Sequence, residues 1–392
     1  MKIIFYLYIL FFSIGMLPAN ANIWNYMAGD GMSIDHLAIN AHDPSVIYAA
    51  SGENLFRSMD GGINWEVLGE KIEGIITSIN IDPQNTNLVY VTTDNVHEGR
   101  IYKSTNSGVS WTRIPYSGGS IAALSINPHN TDVLFLVSGG TNDMFYKTSN
   151  AGATWDMTGS VSGPSTTAGA VSISVNPQNP DIIFIGAFQT PFDPTTDGIF
   201  KSIDQGMIWQ NKKILNIGQP FSGEKMPMAI NPHDPKIIYV GDPRNRAVQK
   251  SLDGGETWRN TTGDSVDALV EVIAIDNHNP EIVYLGTREG LFRSTNGGEK
   301  WHLFSIDQGE YEPFVRSIAI DPQKTEILYV GTSGIGLFKV ITDSDCIARF
   351  DNLTQRVIIP CLEVDDSAVQ YAIELEKREN ELWFEVSDIK EK

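Results

Sequence analysis

The chain has 392 residues, with 28 Lys+Arg against 48 Asp+Glu, a formal net charge of −20 with His neutral. That acidic surplus leaves no general basic field to displace counterions from phosphates, which argues against a nucleic-acid partner. Apolar residues make up 41%, enough for a large core, and two cysteines exclude a disulfide scaffold or a Cys-rich zinc module.

The first element in the chain is an address. Lys2 precedes the uncharged run IIFYLYILFFSIGML (3–17), and Pro18-Ala19-Asn20-Ala21 supplies an A-x-A cleavage signal. The three parts read as a secretory signal peptide over 1–21, cut after Ala21. The run is short for a bilayer span of about 20 residues, and no later run reaches that length. The expected location is the periplasm or the extracellular space.

From residue 22 two strings recur. One is S-x-D-x-G-x-x-W, at 58–65, 104–111, 148–155, 202–209, 251–258 and 294–301, with Trp spaced 43 to 54 residues apart. The other, roughly [ND]-P-[HQ]-x-x-x-[IV]-[IL]-[YF], falls at 40–48, 82–90, 127–135, 176–184, 231–239, 276–284 and 321–329. Trp111 precedes Asn127 by 16 residues, and Trp24 precedes Asn40 by the same 16. Trp24 is therefore the seventh Trp of the series, carried at the opposite end of the chain from the copy it completes. Each unit reads as four strands rich in β-branched and aromatic residues, in the third copy 121–127, 133–138, 144–149 and 153–158. Seven such units predict an all-β, seven-bladed β-propeller over 22–342, closed by its N-terminal strand. Closure leaves no long sheet edge exposed.

The first string resembles the Asp-box, or BNR, repeat. The longer unit, for example NPHDPKIIYVGD…VQKSLDGGETW (231–258), is similar to repeats of xyloglucanase-type glycoside hydrolases, the Vps10/sortilin ectodomain and Ycf48-like assembly factors. The resemblance covers about residues 22–340. It implies the propeller and leaves the activity open, because the Asp box is a folding element of enzymes and non-enzymes alike. The box is expected to be a tight turn between the third and fourth strands. Its hydroxyl and its Asp or Asn bond backbone groups, and its Gly (62, 108, 152, 206, 255, 298) takes a positive φ. Asp stands at 60, 204 and 253 and Asn at 106, 150 and 296, so the turn needs an acceptor oxygen and not a charge. His42, His129, His233 and His278 share one repeat position with Gln84, Gln178 and Gln323. That pattern fits a hydrogen bond and not a metal site. His36, His97 and His302 show no ligand spacing.

The residues bear on three function classes. Arg113-Ile114-Pro115 matches the R-I-P string of sialidases, but it follows Trp111 in an outermost strand. Xyloglucanase-type enzymes use two carboxylates across a cleft between two propellers, and such a pair is a general need of glycoside hydrolysis. This chain shows one propeller, and Glu53 lies out of register with the first of those acids. Strings for P-loop, Rossmann and serine-hydrolase chemistry are absent, so no cofactor is expected. The expected function is a non-catalytic recognition or assembly module, with a glycoside hydrolase acting on a plant or bacterial polysaccharide as the alternative. A protein or glycan ligand is expected on the face opposite the boxes, with no stable membrane insertion and a monomeric state. The irregular loops are 92–100, 186–198, 211–226, 241–247 and 303–315, and the candidates lie in the sector of 186–198, 241–247, 286–290 and 303–315 with the adjoining Arg316. These are the aromatics Phe188, Phe192 and Tyr311, the cations Arg244, Arg246, Arg288 and Arg316, and the acids Glu289, Glu310 and Glu312.

After Val340 the repeat pattern stops. Alternating apolar residues over 343–392 predict a small β domain with strands near 346–351, 355–363, 368–377 and 381–388. It holds both cysteines, and export makes a Cys346–Cys361 disulfide the expectation.

Overall fold

The computed structural model describes residues 23–389 except 30, 69–71, 96–97, 139–143, 161–167, 190–197, 215–224, 244, 264–265, 305–311, 343–348, 352–355, 360–370 and 379–380. Seven four-stranded antiparallel sheets form the propeller. Blades one to six occupy 36–68, 75–114, 121–160, 168–214, 228–260 and 270–303, each with its strands in sequence order from the axis outwards. The seventh consists of Val315–Ile320, Ile327–Thr332, Leu337–Ile341 and, outermost, Ile23–Ala28. The N-terminal strand thus completes the last blade, as the Trp24 spacing predicts. Each innermost strand touches the innermost strand of the next blade, and that of blade seven touches that of blade one, so the ring is closed.

The second strand of each blade is a nearly continuous apolar run because a blade is covered by a neighbour on both faces. Ile47–Ser51, Leu134–Ser138 and Val283–Thr287 are buried almost throughout. The seams between blades carry a repeated bond. Tyr48, Tyr90, Tyr239 and Tyr329 donate their phenol hydroxyls to the carbonyls of Ser107, Ala151, Gly297 and Gly61, each in the following blade. Lys201 and Lys250 reinforce this from the third strand, donating to Gly254 O at 2.7 Å and Gly297 O at 2.6 Å. Tyr329 gives the seven-to-one seam the same bond that Tyr48, Tyr90 and Tyr239 make elsewhere, while Phe135 and Phe184 stand at the equivalent positions of blades three and four. Met27 of the N-terminal strand packs with Trp65 in the same cluster as Tyr329, and Tyr26 meets Phe338 edge to face at 5.7 Å.

Two expectations are corrected in detail. In blade three the outer strand is Asp156–Ser160, not 153–158, because Trp155 ends the turn rather than entering the strand. Residues 92–100 are not a free loop. They largely extend the hairpin of Val89–Asn95 and Glu98–Ser104, with Asp94 paired to Gly99. Contacts separate Trp24–Val340 from a second unit, which contains a four-stranded sheet of Arg349–Asp351, Arg356–Ile359, Tyr371–Arg378 and Glu381–Ile389. Cys346 and Cys361 lie outside the described residues, as do residues 1–22 with the cleavage position. No helix among the described residues is long and apolar enough to cross a membrane.

Candidate binding face

The two faces of the ring differ in chemistry. On one face stand the S-x-D/N-x-G-x-x-W turns, and all six share one hydrogen-bond set. The Ser or Thr hydroxyl accepts the Gly N–H four residues on at 2.7–3.1 Å. The Asp or Asn Oδ1 accepts the N–H four residues further at 2.8–2.9 Å. Asp and Asn do this identically. The six glycines sit at φ between 83° and 89°. Hydrogen bonds from Thr257 hold the Asp253 carboxyl down at about 2, and bonds from Asn64 and Ile208 lower Asp60 and Asp204. The second string has its own turn on this face. Asn40, Asp82, Asn127, Asn176, Asn231, Asp276 and Asp321 each accept two backbone N–H groups. Gln84, Gln178 and Gln323 donate to carbonyls of the next blade. Concavities of about 340 and 300 Å³ open at this end of the inner strands, beside Pro83 and Pro232, and no titratable side chain lines them. The titratable side chains gather at the other end of the axis, and they mark the candidate site.

At the other end, five of the seven inner strands carry a register shift at their first turn of ladder. It leaves Thr77, Ala122, Val171, Glu271 and Arg316 outside the pairing. A bulge of this kind re-aims the extra side chain. Arg316 Nη1 donates to Asp35 Oδ1 at 2.7 Å, which joins blade seven to blade one. Arg288 Nε donates to Glu271 Oε1 at 2.9 Å, and Lys225 Nζ lies 3.9 Å from Glu271 Oε2. The guanidinium carbons of Arg288 and Arg316 stand 5.5 and 4.8 Å from the centre of the Phe314 ring. Glu271 is deeply buried, with 5% of its side chain exposed. His36, next to Asp35, is held at about 4, first by burial and then by the positive charge of Lys225. Lys225 is itself lowered, first by burial, with Glu271 pulling it back up. His36 and Lys225 belong to blades one and five, which are not neighbours, so they interact across the axis.

The sequence candidates divide among three places. Arg288 and Arg316 meet over Phe314. Arg246 and Glu289 form a separate exposed pair at 2.7 Å on the rim, with Asp267 also on Arg246. Phe192, Arg244, Glu310 and Tyr311 lie outside the described residues. Phe188 is placed only as backbone, paired with Gly169. Glu312 is half-buried, and its β-carbon lies beside Gly290. Arg113 is an exposed outer-strand residue paired with Glu98 at 3.0 Å. Asp35, His36, Lys225, Glu271 and Phe314 escaped the sequence reading. Counting back five residues from the Asn or Asp of the second string would have found the key column: Asp35, Thr77, Ala122, Val171, Met226, Glu271 and Arg316. Among the described residues, no group of three His, Cys, Asp or Glu is arranged to hold a metal ion.

Comparison with known proteins matches the fold to two kinds of propeller. No protein-family profile matches the chain. Xyloglucanase Xgh74A of Acetivibrio thermocellus is 27% identical over 254 residues, 60% of this chain and 25% of the relative, so the chain matches about a quarter of that protein's length. Among solved structures, the GH74 enzyme of Niastella koreensis superposes with a TM-score of 0.62 at 18% identity, covering 90% of this chain and 59% of that one. A structure of YCF48 bound to D1 peptide superposes with a TM-score of 0.61 at 15% identity, covering 83% of this chain and 97% of that one. The chain is a seven-bladed propeller similar to GH74 xyloglucanases and to Ycf48.

Proposed function

We propose that this protein acts on a plant or bacterial polysaccharide, held across the face opposite the S-x-D/N-x-G-x-x-W turns. The observation that carries the reading is the 27% identity to a xyloglucanase through 254 residues. Glycan handling of the glycoside-hydrolase kind therefore moves ahead of a purely non-catalytic module. Glycoside hydrolysis uses two carboxylates. Asp35 and Glu271 lie on this face where the inner strands begin around the axis, here called the channel mouth; they come from different blades and take the two roles in this reading. The turns are Asp boxes and act as scaffold. Residues 1–21 form the export signal, cut after Ala21. Residues 22–342 form the propeller, and 343–392 form a docking or sorting domain with a Cys346–Cys361 disulfide. The chain works as a monomer.

A second reading, recognition without cleavage, is favoured by two observations. Asp35 and Glu271 are both engaged by arginine, at 2.7 and 2.9 Å, and the solved YCF48 shares the fold with a peptide bound. Reducing-sugar release from xyloglucan and other β-glucans, with affinity electrophoresis on the same polysaccharides, separates the readings. Release that stops in Glu271→Gln supports hydrolysis. Retention without release supports recognition, and neither result from any polysaccharide defeats the proposal.

A further inference from the structure

We propose that the channel mouth binds a carboxylate carried on a sugar chain, so that the ligand is a uronate-bearing polysaccharide and not a neutral glucan. The proposal rests on the polysaccharide reading and adds a substrate class to it. Three cations, Lys225, Arg288 and Arg316, converge there on two carboxylates, Asp35 and Glu271. Donors outnumber acceptors even more clearly. Arg316 Nε is buried without a partner. Among the described residues, the terminal nitrogens of Arg288 make no hydrogen bond, and Lys225 Nζ stands 3.9 Å from Glu271 Oε2. A buried guanidinium nitrogen without an acceptor is costly and marks a site short of acceptors, while the Arg316 and Arg288 side chains, 32% and 39% exposed, leave terminal nitrogens within reach of an incoming carboxylate. His36 adds nothing to the positive charge near neutral pH, because it titrates at about 4.

The surroundings sharpen the selectivity. The chain carries −20 overall, so an acidic polymer is repelled in general and needs a local site of the opposite sign. Phe314 lies under both guanidiniums, which limits their rotamers and presents two forks at one place. Arginine forks match the planar carboxylate and have no comparable partner on a neutral sugar. The rim pair Arg246–Glu289 is already neutralised and does not contribute.

Isothermal titration of the full-length protein with trigalacturonate, its methyl ester, a xyloglucan oligosaccharide and a tripeptide with a free C-terminus tests this. Trigalacturonate is expected to bind about tenfold or more tightly than its methyl ester. Arg316→Ala is expected to remove that preference, and Arg316→Lys to restore part of it. Should Arg316→Ala fail to fold, Arg288→Gln, at a more exposed side chain, reads the same contact. Equal binding of acid and ester overturns the proposal, as does binding of the peptide in place of trigalacturonate. Xyloglucan oligosaccharide binding that ignores the arginines overturns it while leaving the polysaccharide reading standing. If no saccharide binds, both fall.

Discussion

The turn face and the channel mouth are built by the same repeat and obey different rules. On the turn face, six hairpins copy one hydrogen-bond set, and Asp exchanges with Asn without changing it. At the mouth, one column of seven equivalent positions holds Asp35, Thr77, Ala122, Val171, Met226, Glu271 and Arg316. The backbone explains the contrast. In the turns, side chains complete the backbone's hydrogen bonds and are fixed by that duty. At the bulges, the extra residue has no ladder duty and is released for other chemistry. A repeat protein can therefore hold its fold constant and vary its site within a single unit.

The contrast can be broken most forcefully at ring closure. Deleting Ile23–Ala28 leaves blade seven with three strands and takes Met27 away from Trp65. Each large apolar side chain lost from such packing costs about 2–5 kcal/mol. At about 2–4 °C per kcal/mol, the melting temperature should fall by at least about 10 °C. A thermal melt that shows no change would mean the closure is ornamental.

A single turn glycine comes next. Gly255 has φ of 86°, and a Cβ there would stand 2.7 Å from the Phe184 ring. Gly255→Val should cost about 2–5 kcal/mol from backbone strain and overpacking, read by urea denaturation. Binding at the far face should survive in whatever fraction remains folded.

The mouth gives a pH signature. His36 titrates at about 4 when folded, against 6.5 ordinarily. Between those values the unfolded chain takes up a proton that the folded chain refuses, so stability falls as pH drops from 6.5 to 4. His36→Gln should flatten the melting temperature against pH across that window by a few degrees. A profile unchanged by the substitution would show that the imidazole is not buried beside Lys225.

The smallest effect belongs to the triple change Asp60→Asn, Asp204→Asn and Asp253→Asn. At pH 7 it should leave the melting temperature nearly unchanged, since Asn accepts the same backbone bond in the sister turns. The lowered carboxyls contribute stability that is present above about pH 4 and is lost as pH falls through their folded values, about 2 for Asp253. The triple variant should therefore lose less stability than the parent on acidification below pH 4. Loss of ligand binding with intact stability would instead reveal a functional acid on the turn face.

The propeller is legible because its repeats are spaced by Trp, Gly and an Asn or Asp, residues whose packing and backbone roles recur from copy to copy. Trp24 disclosed closure by its 16-residue distance from Asn40 alone. The mouth was only half legible. Arg288 and Arg316 stood out as cations near irregular loops. Glu271 reads in sequence as one polar residue inside an apolar strand, VEVIAI, and only the register shift shows that it leaves the ladder. Lys225 and His36 come together across the axis from blades far apart in sequence, which no local pattern encodes. Arg246 and Glu289 looked like ligand groups and proved to satisfy each other.

The central claim is that function sits at the channel mouth and that the repeated turns are scaffold. Hydrogen–deuterium exchange of the full-length protein, with and without the oligosaccharide that binds best in titration, tests it most directly. Protection is predicted in peptides covering 31–36, 225–230, 270–273, 286–290 and 312–318, with the six turns unchanged. Protection concentrated in 58–65, 202–209 or 251–258, with the mouth unchanged, would contradict it.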